Sequence, residues 1–373
     1  MTTHNDLLEP LLAELPNQVF LVAHYEDNRL GLGQDPTLRV FLPDFHWMSR
    51  ECLARYTGGY EFNGNRELPN GKPGFATLLN ILENLQDAQA SFEIFQLGDR
   101  FDLWREVTRE DTLLTAYQRV RNDARVTGLA TRLNALNAKY IQGNHDAWLA
   151  TLEKGTFTDP PSAPDLETGN GTIFLTHGHR YDNIERILPD DVQVVFVGLC
   201  PKIKPGTKSV GPFTKKNHKG IQRFLELRKR PSFPRELYPT VRPDGARLIT
   251  STNDIPRLQE QFVTHLDVTG FSHGIGDRND FEHISYLTFA DQIRTFEFNH
   301  PSDHRLYVIG HTHHARILVD ALPRGPLVVM DCGGWIEQCT IANPGGTHHA
   351  PSAQVGVQCG DDLRIYQLGG GTP

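Results

Sequence analysis

The sequence predicts a protein of the α/β (α+β) class, on three observations. Short apolar runs of strand length alternate with stretches whose apolar residues recur at helical spacing. Several of these runs stop at a glycine or proline next to Asp, Asn or His. Toward the end of the chain, alternating runs separated by turn signals read as a meander with hairpins.

Gln18 to Ala23 and Leu38 to Leu42 are rich in Val, Phe and Leu and read as strands. The second ends in Pro43-Asp44-Phe45-His46. Asp44 and His46 project the same way if the backbone stays extended. A carboxylate beside an imidazole makes a metal-ligand pair; a polar turn with a chance histidine is the alternative. The glycine- and proline-rich run from Thr57 to Gly74 reads as a long loop, and long loops in compact domains are often functional. Phe75 to Ala90 carries Leu78, Leu79, Leu82 and Leu85 at helical spacing. Phe92 to Leu97 reads as a strand closed by Gly98-Asp99-Arg100-Phe101-Asp102. Asp99 is a candidate ligand or else an N-cap opening a helix, and Asp102 is spaced to sit behind it. Asp111 to Leu136 predicts a long helical stretch, interrupted near Gly128.

The next strand runs into Tyr140-Ile141-Gln142-Gly143-Asn144-His145-Asp146. No core needs Asn, His and Asp side by side, and the glycine before them permits a sharp turn and a close approach. A plain polar turn is the alternative reading of this stretch alone. Trp148 and Leu149 open a short helix, Thr156 to Gly171 reads as a loop, and Thr172 to Thr176 as a strand ending in His177-Gly178-His179. Alone, His177 would be read as a structural histidine; in this series it is a ligand candidate.

Residues from about Ile187 to His300 break the pattern and read as an insertion. Within it, residues 201–230 hold ten Lys and Arg against the single acid Glu226. Ile221, Phe224 and Leu225 share a helical face, with Arg223, Arg228, Lys229 and Arg230 around it. Such a basic amphipathic helix can lie on an anionic surface or grip an acidic substrate, and a solvated face is the alternative. Arg228, Lys229 and Arg230 are the candidate substrate-binding residues. Arg305 to Ile309 then reads as a strand leading into Gly310-His311-Thr312-His313. Ala315 to Val319, Pro326 to Met330 and Gln354 to Gln367 complete the alternating runs, with a turn at Gly360-Asp361-Asp362.

The bulk properties set limits. At 373 residues the chain needs no staples to build a core, and its net charge of −8 does not favour a nucleic-acid partner. The five cysteines are odd in number and widely spaced, with no C-x-x-C pair, which points to a reducing, cytoplasmic setting. Met1 to Pro16 has no Lys or Arg and does not read as a secretory signal. No apolar run nears the ~20 residues of a spanning helix, so no transmembrane segment is expected.

Asp44, His46, Asp99, Asn144, His177, His311 and His313 all fall at strand ends, which gather at one rim in an α/β protein. The set mixes carboxylate, amide and imidazole without thiolate, and is too large for one tetrahedral ion. It suits two divalent metal ions, manganese, iron or zinc, sharing a carboxylate. Two such ions hold a hydroxide between them and clamp the oxygens of a phosphoryl group. The implied chemistry is hydrolysis of a phosphate ester.

In their order, Asp-x-His, Gly-Asp-x-x-Asp, Gly-Asn-His-Asp, His-Gly-His and Gly-His-Thr-His, over residues 44 to 313, resemble the signature of the calcineurin-like metallophosphoesterases. The resemblance implies a two-layer mixed β-sandwich flanked by helices, with residues 1–186 and 302–373 as the core and 187–301 as an inserted cap. It implies that Asp44, His46, Asp99 and His313 hold one metal, and that Asp99, Asn144, His177 and His311 hold the other, with Asp99 bridging. It also implies that His145 contacts the phosphate and protonates the leaving group, oriented by Asp102. The stretches from Gly98 to Trp104 and from Gly143 to Leu149 are similar to those of UDP-2,3-diacylglucosamine hydrolases, pyrophosphate-cleaving enzymes with a basic cap. The chain departs from that subgroup in its longer insertion, in Pro-Asp-Phe-His-Trp, and in His179, where the subgroup has Asp. Leu103 and Trp104 after Asp102 differ from the Arg-Gly of Ser/Thr protein phosphatases. The expected substrate is a phosphorylated small molecule or lipid-linked phosphate: a phosphomonoester, phosphodiester or pyrophosphate. A nuclease and a non-catalytic scaffold of the same fold are the other readings.

Overall fold

In the computed structural model, the described residues are 19–55, 60–68, 73–88, 91–106, 113–149, 159–179, 303–338, 342–343, 346–347 and 353–368, apart from positions 34, 36, 66, 147, 148, 312, 314, 323 and 324. Their first elements are β1 (Val19–Glu26), β2 (Leu38–Leu42), α1 (Arg50–Arg55), β3 (Tyr60–Phe62), α2 (Gly74–Asp87) and β4 (Phe92–Gln96). Then come α3 (Leu103–Glu106), α4 (Leu113–Arg121), α5 (Ala124–Ala135), β5 (Lys139–Ile141), β6 (Ser162–Ala163), β7 (Asp165–Thr168) and β8 (Ile173–Thr176). The last are β9 (Leu306–Ile309), β10 (Ala315–Leu322), β11 (Gly325–Cys332), β12 (Ile336–Gln338), β13 (Ala342–Asn343), β14 (Gly346–Thr347), β15 (Gln354–Cys359) and β16 (Asp362–Leu368).

Two mixed sheets carry the fold. One has seven strands in the order β1-β16-β15-β2-β4-β5-β6, with β2, β4, β5 and β6 parallel. The other has five in the order β10-β11-β9-β8-β7, with β11, β9 and β8 parallel and antiparallel strands at both edges. Strand alternation decides how they pack, because successive side chains point to opposite faces. On β2, Leu38, Val40 and Leu42 join a cluster with Phe75, Leu78 and Leu82 of α2, Tyr117 of α4 and Leu133 of α5. Phe41, between them, joins a second cluster with Phe95, Leu175, Val308, Met330 and Ile365, which draws on both sheets. The sheets therefore face each other across that second cluster, and helices cover the far side of the larger one. Each buried Leu or Phe contributes about 1.5–3 kcal/mol relative to exposure. Among the described residues no helix is long and apolar enough to cross a membrane.

Several expectations change. The helical stretch 111–136 breaks at Asn122-Asp123, not at Gly128. Asp123 caps α5, its side chain accepting the Arg125 and Arg50 backbone N–H groups. A capping carboxylate that satisfies orphan N–H groups starts a helix more firmly than one exposed glycine ends it. The loop from Thr57 to Gly74 contains β3, paired with β12. The loop from Thr156 to Gly171 contains β6 and β7, whose partners are β5 and β8. The expected meander is two hairpins in different sheets, β10–β11 and β15–β16, the latter turning at Gly360-Asp361. Neighbours β8 and β9 are parallel although far apart in sequence. The insertion 187–301 between them, with Arg228, Lys229 and Arg230, lies outside the described residues, as does Trp148.

Candidate metal centre

The ends of β2, β4 and β5 in one sheet meet those of β8 and β9 in the other. The backbone there is unusual. Among the described residues, six non-glycine residues have positive φ, and four of them are His46, Asp99, His311 and His313. The other two are asparagines, which tolerate that region. Strain of this kind persists where surrounding structure enforces it and gathers at functional sites. It also corrects the expectation for Asp44 and His46: with φ at 48°, His46 is not extended, so a left-handed turn aims the pair. Close approach needs glycine at two places. A Cβ at Gly143 would collide with the backbone nitrogen and carboxylate of Asp99, and one at Gly310 with Asp44 Oδ1.

The donor atoms form a connected row. Asp44 Oδ2 lies 2.9 Å from His313 Nε2, which lies 3.2 Å from His46 Nε2. Asp99 Oδ2 stands 3.5 Å from His46 Nε2 and 3.3 Å from His177 Nε2. Asn144 Oδ1 is 2.9 Å from His177 Nε2. Asp44, His46, Asp99 and His177 are at most 1% exposed. Atoms bonded at about 2.0–2.2 Å to one ion stand roughly 3–3.5 Å from one another, so these spacings fit. Asp44, His46 and His313 form one compact buried donor group, and Asp44, Asp99 and His177 another. Either buried group can hold a metal ion.

The support behind the row fits the same use. The Nδ1–H of His177 donates to the Leu97 carbonyl at 2.8 Å, turning Nε2 toward Asp99 and Asn144. Metal-ligating histidines are commonly oriented this way. Asp102 serves two rings, accepting from His145 Nδ1 at 3.0 Å and lying 3.5 Å from His46 Nδ1. His311 is placed differently. Its backbone N–H donates to both oxygens of Asp44 at 3.1 Å, and its half-buried ring lies 5.1 Å from that of His177, outside both compact groups.

Burial and neighbouring charge set the protonation of the row. Burial pushes the His46 imidazole down to about 4, so it is neutral at pH 7. Burial works the same way on His177, but the carboxylates of Asp99 and Asp44 outweigh it and raise the ring to about 10. Burial alone would raise Asp99, yet His177 and His145 hold it well below the usual carboxylate range. Burial raises Asp44, with His177 opposing.

Two supporting residues had no role assigned from the sequence. Asp146 accepts backbone N–H groups from Arg100 at 2.8 Å and Gly143 at 2.9 Å, so it ties the loop after β4 to the loop after β5. Its signal was its place in Gly-Asn-His-Asp. Gln96 is fully buried and donates from Nε2 to the Pro43 and Gly98 carbonyls, joining the β2 and β4 loops. Its signal was a lone amide in an apolar strand.

No protein-family model matches this chain, and no curated protein matches it.

Proposed function

We propose that this centre takes two divalent ions and that the protein is a metallophosphoesterase hydrolysing a phosphomonoester, phosphodiester or pyrophosphate bond. The observation that carries the reading is the position of Asp99, whose Oδ2 stands between His46 Nε2 at 3.5 Å and His177 Nε2 at 3.3 Å. A buried carboxylate between two imidazoles, with a further carboxylate and amide on either side, is a donor set for two oxygen- and nitrogen-preferring cations. Asp44, His46 and His313 would hold one ion and Asn144, His177 and His311 the other, with Asp99 shared. Such ions, when bound, lower the pKa of water toward ~7 and neutralise phosphoryl charge.

The chain's own groups supply the rest. His145 lies against His46, with ring centroids 4.6 Å apart, and gives its Nδ1–H to Asp102. In the acid form of the ring the Nε2–H faces substrate and passes its proton to the departing oxygen, which leaves the neutral Nδ1–H tautomer that Asp102 holds. Help of this kind contributes about 10²–10⁴ in rate. The His145 backbone N–H donates to Asp99 Oδ1 at 2.8 Å, so the proton donor is registered on the shared carboxylate.

The test is metal analysis of the purified protein together with a panel of monoesters, diesters and nucleotide-sugar pyrophosphates. Two ions per chain and hydrolysis of at least one class are expected. Asp99→Asn should lose metal and activity together; a variant with full metal and full activity would overturn the sharing role.

A further inference from the structure

We infer that His179 is a second substrate-facing imidazole, donating to a non-bridging oxygen of the phosphoryl group at the end of the centre away from His145; this rests on the reading above. His179 follows His177 across Gly178, whose φ of 108° turns the chain sharply. The turn brings the two rings to a centroid distance of 5.4 Å, and His179 is 6.4 Å from the ring of His311. His177 is fully buried, whereas His179 and His311 are half-buried, so His179 stands on the open side of the His177 end.

The donor row has a symmetry of roles. Along His46, Asp99 and His177, one imidazole outside the proposed ligand set stands at each end. His145 packs on His46 at 4.6 Å and His179 on His177 at 5.4 Å. Among the described residues His179 joins no compact donor group. A phosphoryl group lying over the row presents oxygens toward both ends. One end offers His145 for the departing oxygen. The other offers His179 an oxygen that stays with phosphorus, and that oxygen is still present in the product. The ligand class is therefore any phosphoryl group with a free anionic oxygen, and inorganic phosphate is the simplest member.

Inorganic phosphate is titrated calorimetrically into metal-loaded protein, with metal content measured on the same samples. One lost hydrogen bond to an anion should weaken phosphate binding by about 10- to 100-fold in His179→Ala, with metal content unchanged. His179→Gln, which keeps an N–H, should recover part of that loss, and His179→Leu, of similar size without a donor, should not. The Gln and Leu pair decides the matter if the Ala variant does not fold. Equal phosphate affinity in wild type and His179→Leu overturns the inference. Loss of an ion in His179→Leu and in His179→Ala makes the residue a ligand and also overturns it. A wild-type protein that takes up no metal sinks the two-ion reading and this inference together, whereas equal affinity on a two-ion protein sinks only this inference.

Discussion

His177 carries a testable contradiction. The ring is held protonated up to about 10 by Asp99 and Asp44 against its burial, yet an imidazole must present a bare nitrogen to bind a cation. In the metal-free protein this raised histidine contributes stability that is fully present below its unfolded value near ~6.5 and is lost as pH rises through about 10. Metal uptake at neutral pH must therefore release a proton, and affinity should rise about tenfold per pH unit between pH 7 and 9. Calorimetry in buffers of different ionisation enthalpy reads the proton directly; uptake with no proton release would refute this. Asp102 makes a second prediction, because it stands behind His46 as well as His145. Asp102→Asn should weaken metal binding about 10- to 100-fold and also slow turnover. His145→Ala should keep both ions and lose about 10²–10⁴ in kcat. Identical metal affinity in Asp102→Asn and wild type would separate Asp102 from His46. At this scale, residue types at strand ends were readable from the sequence, because such polar groups have no place in a core. The left-handed turns at His46, His311 and His313 were not, because these residues rarely adopt positive φ and only the packed surroundings impose it.

Among the elements, α5 shows how capping outweighs propensity. Asp123 starts the helix, and Gly128 sits within it, exposed, with nothing within 4 Å of where a Cβ would lie. Gly128→Ala should therefore stabilise the protein by about 1 kcal/mol, and Asp123→Ala should destabilise it by about 1 kcal/mol. Urea denaturation checks both, and an unchanged midpoint in either would count against the account. Strands with dense apolar runs were legible nearly to their ends: β2 spans Leu38–Leu42, as the sequence suggested. The short strands β3, β6 and β7 were not. Their own composition resembles loop; β3 pairs with the distant β12, β6 lies parallel to β5 across a long connection, and β7 forms a short hairpin with β8. Local pattern carries no information about the pairings of β3 and β6.

On the scale of the molecule, Arg39 joins the two sheets. From β2 its buried guanidinium reaches Glu93 on β4 at 3.1 Å, Gln358 on β15 at 3.0 Å, and Thr168 on β7 of the other sheet at 3.1 Å. Arg39→Met should cost about 3 kcal/mol, since removing one member of a buried charged network strands the rest. Arg39→Lys should recover little, because a single ammonium cannot match the planar fork. A melting temperature within a degree of wild type for Arg39→Met would exclude that role. The α/β class was legible from alternation alone. The division of hairpins between sheets was not, since β10–β11 and β15–β16 have the same local pattern and only tertiary packing assigns each its layer.

Because β9 slots between β8 and β11, the pocket is stitched from two distant stretches of chain. His177 leaves the ribosome well before His311 and His313. At about 5–20 residues per second, roughly 7–27 s of synthesis separate the two halves. During that interval Asp44, His46, Asp99 and His177 exist without their last partners. On the proposed two-ion reading, a nascent chain would take up cations late, after the strand that closes the smaller sheet has docked.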